Sequence, residues 1–295
     1  MSATTRIALI GFGEVGQTLA EDLAGAGVTD LVAFDVKFSD PESPPSRALA
    51  QHLDVRVAAT AGQASADADL VICAVTAAQD VAAARAVAAG GLGKGGFFLD
   101  LNSASPGMKL ASAALIEAAG GLYVEAAVMS PIGPKRIASP MLLGGPHMAA
   151  FLELAAPLGF SGARPFSEVL GKASAAKMCR SVMVKGIEAL LTESLLAARH
   201  YDVLDTVVGS LSDLFPLPNW PQLSRYMISR SVEHGVRRAE EMREAARTVE
   251  EAGVAPLLTR MISERQDASA HYRSALAEDD LAAMLDAIIR ETKPS

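Results

Sequence analysis

The chain has 295 residues, of which 50% are hydrophobic and 20% charged, with a formal net charge of -8. That balance suits two globular domains, each with its own core, and excludes global disorder. It also argues against a nucleic-acid surface, which needs a concentrated positive stripe.

Every apolar run is broken by Gly, Asp or Lys, so no membrane span is expected. MSATTR leads into only a short apolar stretch, IALIGFG, without the cleavage pattern of a signal peptide. Cys73 and Cys179 lie far apart in apolar contexts and fit neither a disulfide framework nor a metal-binding spacing. The expected compartment is therefore a reducing cytoplasm. The five histidines show no ligand spacing, and no metal is expected.

In chain order, RIALI from Arg6 is a short apolar strand run. GFGEVG follows at once, and then QTLAEDLAGAG, a helical pattern that ends in glycines. DLVAFD is a second strand run closed by Asp35, and the proline-rich KFSDPESPPS after it reads as loop. Further strand runs are VRVAA, DLVICAV, GFFLDL and GLYVEAAV, with AAQDVAAARAVAAG and PGMKLASAALIEAAGG as helices that stop at Gly. Strands separated by helices of this length make a parallel, doubly wound sheet, because a parallel connection needs a crossover. This α/β domain is expected over residues 1–165.

Gly11, Gly13 and Gly16 form a G-x-G-x-x-G turn between the first strand and the first helix. In that context Gly11 permits the tight turn, Gly13 lets a pyrophosphate approach the backbone, and Gly16 lets helix and strand pack closely. An acid closing the second strand at the right distance strengthens the reading. Gly11, Phe12, Gly13, Glu14, Val15, Gly16, Asp35, Val75, Thr76 and Asn102 are thus the candidate residues for a nicotinamide dinucleotide. Asp35 favours NAD over NADP, since its carboxylate suits ribose hydroxyls and repels a 2'-phosphate; Lys37 softens that repulsion.

After GARPFSEVLG the pattern turns helical. ASAAKMCRSVMVKGIEALLTESLLAARHY predicts one helix of nearly thirty residues. EHGVRRAEEMREAARTVEEAG is amphipathic, with Val236, Ala239, Met242, Ala246 and Val249 on its expected inner face. APLLTRMISERQDASAHYRSAL and DDLAAMLDAIIR follow as further helices. An all-α domain over residues 166–295 is expected, and long helices of this kind point to a homodimer.

Four segments, IGFGEVG, LDLNSASP at 99–106, VEAAVMSP at 124–131 and GKASAAKMCRS at 171–181, together resemble the beta-hydroxyacid dehydrogenase superfamily. That superfamily includes 3-hydroxyisobutyrate and 6-phosphogluconate dehydrogenases. The stretch from Asn219 onward is similar to the C-terminal domain of a poorly characterised subgroup. The resemblance implies a Rossmann domain followed by a 6-phosphogluconate dehydrogenase-like helical domain. It also implies hydride transfer between a nicotinamide and the carbinol carbon of a small, acidic hydroxy compound.

Residue by residue, Lys177 matches the family's catalytic lysine, and Asn102 and Ser103 fall where the family faces nicotinamide and substrate. Met129, Ser130 and Pro131 stand in place of a Ser-Gly-Gly carboxylate cradle, and proline supplies no N-H. Ser181 replaces an asparagine. Lys177 and Ser181 are four apart on one helical face, where a substrate oxygen could meet both. Arg180 is a candidate for an anionic substrate group. A lysine near neutral pKa can take a hydroxyl proton while hydride leaves the carbon.

Two other readings stay open: a nicotinamide-binding regulator without turnover, and an imine reductase-like enzyme, against which Lys177 speaks. S-x-x-K at 174–177 also fits an acyl-enzyme nucleophile motif, but no S-D-N or K-T-G partner accompanies it.

Overall fold

The computed structural model describes residues 5–52, 54–93, 95–214, 219–253 and 255–292, so most of MSATTR lies outside the described residues. The chain divides into two compact units, Met1–Lys177 and Met178–Ser295.

In the first unit the elements are β1 (Arg6–Ile10), α1 (Glu14–Gly25), β2 (Asp30–Phe34), α2 (Pro44–Leu49), β3 (Val55–Val57), α3 (Ala61–Ser65) and β4 (Leu70–Cys73). There follow α4 (Asp80–Gly90), β5 (Phe97–Asp100), α5 (Pro106–Ala118), β6 (Leu122–Val128), β7 (Met141–Gly144), α6 (Met148–Ala155) and β8 (Ala163–Ser167). The strands form one sheet in the order β3-β2-β1-β4-β5-β6-β7-β8. All neighbours are parallel except β6 and β7, which run antiparallel. The first six positions follow the doubly wound order of dinucleotide-binding domains, whose chain reversal between β1 and β4 opens a crevice at the carboxyl ends of the strands.

The physical cause lies in the runs themselves. LVIC is buried at every residue and RIALI at all but its first, because helices cover both faces. Alternate residues feed two cores. Ile7, Leu9, Leu31 and Leu99 pack with Leu19 and Leu23 of α1 on one face. Ala8, Ile10, Val71 and Phe98 pack with Val87 of α4 and Ile116 of α5 on the other.

All six predicted strand runs are strands. β7 and β8 carry no strand signal of their own: MLLG is too short for a period, and ARPFS is a largely exposed edge strand, where Pro165 costs no ladder bond to an outer neighbour. KFSDPESPPS is not all loop. Its Pro44 begins α2, with Ser43 accepting the Ser46 N-H as N-cap. Ser105 and Pro106 start α5 in the same way.

α7 (Lys172–His200) is the predicted long helix, and the boundary between the units falls within it. In the second unit follow α8 (Leu204–Leu214), α9 (Trp220–Glu251), α10 (Leu257–Ser269) and α11 (Leu281–Thr292). Leu195, Trp220, Ile228, Val232, Leu285 and Ile288 centre its core.

Two expectations change here. APLLTRMISERQDASAHYRSAL is α10 plus a separate short 3-10 turn at Arg273–Ala277. Val236 is 60% exposed and leaves the inner face to Gly235. A Cβ on Gly235 would lie 2.3 Å from the Gln266 carbonyl oxygen, so the backbones of α9 and α10 meet there. Among the described residues no helix is long and apolar enough to cross a membrane, and no group of three or more His, Cys, Asp or Glu could hold a metal.

Candidate active site

The glycine turn sits between β1 and α1. Gly11 has φ +95°, and a Cβ there would come within 2.4 Å of the Ala74 carbonyl oxygen. A Cβ on Gly16 would come within 2.2 Å of the Gly11 carbonyl oxygen, so both positions accept only glycine. Gly13 differs: nothing lies within 4 Å of the place where its Cβ would be. It is the N-cap of α1 with no side chain bonding the first helical amides, which leaves a cradle of backbone N-H groups at the positive end of a helix. That cradle fits a pyrophosphate.

Glu14 lies exposed in the first turn, Val15 is partly buried, and Phe12 is fully buried, its ring set edge-on to His52. The Asp35 carboxylate accepts from Phe12 N at 2.8 Å and from Lys37 N at 2.9 Å, which holds it beside the turn.

The loops after β4 and β5 are tied to each other by Asn102. Its Oδ1 accepts from Val75 N at 2.7 Å, while its Nδ2 donates to Asp80 Oδ1 at 3.0 Å and to Cys73 Sγ at 3.3 Å. Its own N-H donates to Asp100 Oδ1 at 3.0 Å. Asn102 is 4% exposed, so its amide fastens the Val75–Thr76 loop from below and is not available to a substrate.

Beneath it lies a buried charged cluster. Lys109 Nζ is 2.6 Å from Asp100 Oδ1 and 3.8 Å from Asp80 Oδ2, and Tyr123 donates to Asp100 Oδ2 at 2.6 Å. Burial pulls the Lys109 ammonium down, but Asp100 and Asp80 more than offset it and keep the group charged. Burial raises Asp80 to about 7, against the pull of Lys109 and with the push of Asp100. Burial, then Asp100, also raises the Cys73 thiol and the Tyr123 hydroxyl, so both stay protonated.

Ser103, next in the loop, is partly buried, and Lys177 Nζ donates to its Oγ at 2.6 Å. The lysine thus meets the loop at the carboxyl end of β5, the edge that also carries the glycine turn.

Residues 6–92 match the family model described as NADP oxidoreductase coenzyme F420-dependent, and residues 198–269 match the domain of unknown function DUF1932. A conserved hypothetical protein from Sinorhizobium meliloti is 34% identical over 98% of this chain and 97% of its own, with a TM-score of 0.76. A conserved protein of unknown function, described as structurally similar to 3-hydroxyacid dehydrogenases, is 28% identical over 90% of this chain and 97% of its own, with a TM-score of 0.68. The chain belongs to one family with the Sinorhizobium meliloti protein, in which an NADP oxidoreductase-type domain precedes a DUF1932 domain. The Mycobacterium tuberculosis 3-hydroxyisobutyrate dehydrogenase solved with L-serine shares the fold, with a TM-score of 0.68 at 20% identity over 97% of this chain and 99% of its own. No curated protein matches the sequence significantly.

The segment after β6 departs from the Ser-Gly-Gly pattern that the resemblance implies. Met129 N donates to the Pro140 carbonyl at 2.9 Å, and Pro131 has no N-H. Of the three cradle positions only Ser130 keeps an N-H that is neither missing nor bonded to Pro140. Both Met129 and Ser130 are partly buried.

In the second unit Ser181 is 7% exposed and accepts from Lys185 Nζ at 3.3 Å, and Lys185 pairs with Glu241 at 2.8 Å. Arg180 is exposed. Trp220 is a core residue, and the Arg225 guanidinium donates to the Glu278 carbonyl, so both have structural roles.

Sequence reasoning did not reach Asp80, Asp100, Lys109 or Glu125. A lysine fully buried three residues into α5 leaves no periodic signal, and Asp80 at the start of α4, Asp100 at the end of β5 and Glu125 inside β6 carry no local mark of the partners they meet in the fold.

Proposed function

We propose that the protein is an NAD(P)-dependent dehydrogenase acting on the carbinol carbon of a small hydroxy compound, with Lys177 as general acid and base. The observation that carries this reading is the Lys177 Nζ bond of 2.6 Å to Ser103 Oγ, at the carboxyl end of β5. A bound nicotinamide supplies the hydride acceptor in one direction and the donor in the other. The amides at the start of α1 take the pyrophosphate at Gly13, and Asp35 takes the ribose hydroxyls, which favours NAD. In the oxidative direction the neutral Lys177 amine accepts the hydroxyl proton as the hydride leaves that carbon. In the reductive direction its ammonium returns the proton. Ser103 holds Nζ toward the loop and Asn102 sets that loop's height.

One feature narrows the substrate. With the Met129 N-H bonded and Pro131 without one, a carboxylate finds one backbone donor where relatives of the family offer a cradle. An acidic substrate would be held there by side chains rather than backbone. We further infer a homodimer through the helical unit: Met183 and Leu190 of α7 and Leu257, Leu258 and Met261 of α10 are each at least 65% exposed, a large apolar surface for a monomer.

The test is a panel of 2- and 3-hydroxy acids, aldonates and sugar acids with NAD and with NADP, comparing wild type with Lys177→Ala. Loss of general acid-base catalysis lowers kcat about 100- to 10,000-fold. Oxidation that survives Lys177→Ala with kcat nearly unchanged rejects the mechanism.

A further inference from the structure

The strands of the first unit carry a row of side chains on one face, set by register. Ile10 pairs with Cys73, Cys73 with Asp100, Asp100 with Glu125, and Glu125 with Gly144. Parallel neighbours in register present their side chains to the same face, so Asp100 and Glu125 lie side by side on β5 and β6. Asp100 accepts from the Asn102 N-H, Lys109 and Tyr123. Glu125 is engaged elsewhere.

Glu125 is fully buried, and its two carboxylate oxygens accept from the backbone of the segment that starts α7. Oε2 accepts from Gly171 N at 2.8 Å, and Oε1 accepts from Ser174 N in a short bond. Gly171 has φ +88°, and Ser174 Oγ donates back to the Gly171 carbonyl at 3.2 Å. An α-helix begins with four amides that lack intrahelical partners, and a side chain from the preceding residue usually serves them. Here the cap comes from a strand 46 residues earlier in sequence. Gly144 makes room for it, since a Cβ there would come within 2.5 Å of Glu125 Oε2.

We infer that Glu125 is the positioning residue for Lys177: its carboxylate fixes both the start and the electrostatics of the helix that carries the amine. The two ends of the Lys177–Ser103 bond are thereby built on adjacent strands. Ser103 follows β5, anchored through Asp100 and Asn102, and Lys177 rides on the helix clamped by β6. One register, Asp100 beside Glu125, sets the separation between amine and loop. The carboxylate also offsets the positive end of α7, one turn before Lys177, and so stabilises the ammonium form. For its effect on turnover the inference rests on the assignment of Lys177 as acid and base. Its effect on the amine does not.

The experiment needs no substrate. The full-length protein is acetylated with trace acetic anhydride across pH 6–11, and the rate at Lys177 is read by peptide mass spectrometry against an internal amine standard. In Glu125→Gln, which keeps the side-chain size and removes the charge, the midpoint for Lys177 falls by about one pH unit, equivalent to about a tenfold faster reaction at a fixed lower pH. Gly144→Ala, which keeps the charge and pushes the carboxylate off Gly171 and Ser174, speeds the reaction at least about threefold in the same direction. It also stands in should Glu125→Gln fail to fold.

Ile116→Val loosens the same face of the sheet and leaves the Lys177 profile unmoved, which separates positioning from general destabilisation. Lys177 rates within about twofold of wild type in a folded Glu125→Gln or Gly144→Ala protein overturn the inference, whatever Lys177→Ala does to turnover. Full turnover by Lys177→Ala rejects the proposed function and leaves the labelling result to stand by itself.

Discussion

Asp80→Asn tests the buried cluster beneath the cofactor loop. Asparagine has the shape of the protonated acid: its Oδ1 can still accept from Asn102, and its Nδ2 can donate toward the Lys109-bound Asp100. In the unfolded chain Asp80 titrates near its ordinary value of 3.8, and in the fold burial raises it to about 7. Between these values the folded protein keeps a proton that the unfolded chain has released. The stability tied to that proton is complete below the unfolded value and is lost as pH rises through the folded one.

The slope is about 1.4 kcal/mol per pH unit, so wild type gives up about 2–3 kcal/mol between pH 5 and pH 7 that Asp80→Asn retains. For a unit of this size that moves the difference in Tm by about 5–10 °C. Scanning calorimetry of both proteins at pH 5, 6, 7 and 8, at constant ionic strength, reads it directly. The variant sits closest to wild type, or below it, at pH 5 and gains on it steadily up to pH 7. A Tm difference that stays flat across this range would show that Asp80 is ionised throughout and would refute the reasoning.

Two further outcomes follow from the glycine turn and the helical unit. Gly13→Ala leaves Tm within a degree or two of wild type, because its Cβ meets open space, yet weakens NAD binding about tenfold or more by filling the phosphate cradle. Gly16→Ala instead drives a methyl into the Gly11 carbonyl and costs several degrees of Tm, so calorimetry with cofactor titration distinguishes the two. In the helical unit, Leu190→Asp combined with Leu258→Asp converts a dimer to a monomer by light scattering while far-ultraviolet circular dichroism is unchanged. An unaltered mass would place the subunit contact elsewhere.

The nucleotide turn, six of the eight strands and the long helix of Lys177 were legible in the sequence because each is written locally. A strand run, a glycine spacing or a helical period needs only neighbours within a few residues. The start of α5 is equally local, with Ser105 as N-cap and Pro106 in the first turn. MLLG and ARPFS were not legible, since a four-residue strand and a proline-bearing edge strand gain their structure from the neighbours they pair with. Val236 was assigned inward by its period, but the close approach of α9 and α10 at Gly235 turned the face.

The candidate site divides along the same line. Gly11, Gly13, Gly16 and Lys177 could be named from spacing and resemblance. What Asn102 does with its amide, why Lys109 is buried among two aspartates, and why a helix takes its cap from Glu125 depend on strand register. Register brings together residues 20 to 50 positions apart, and only the folded sheet decides which carboxylate lies beside which.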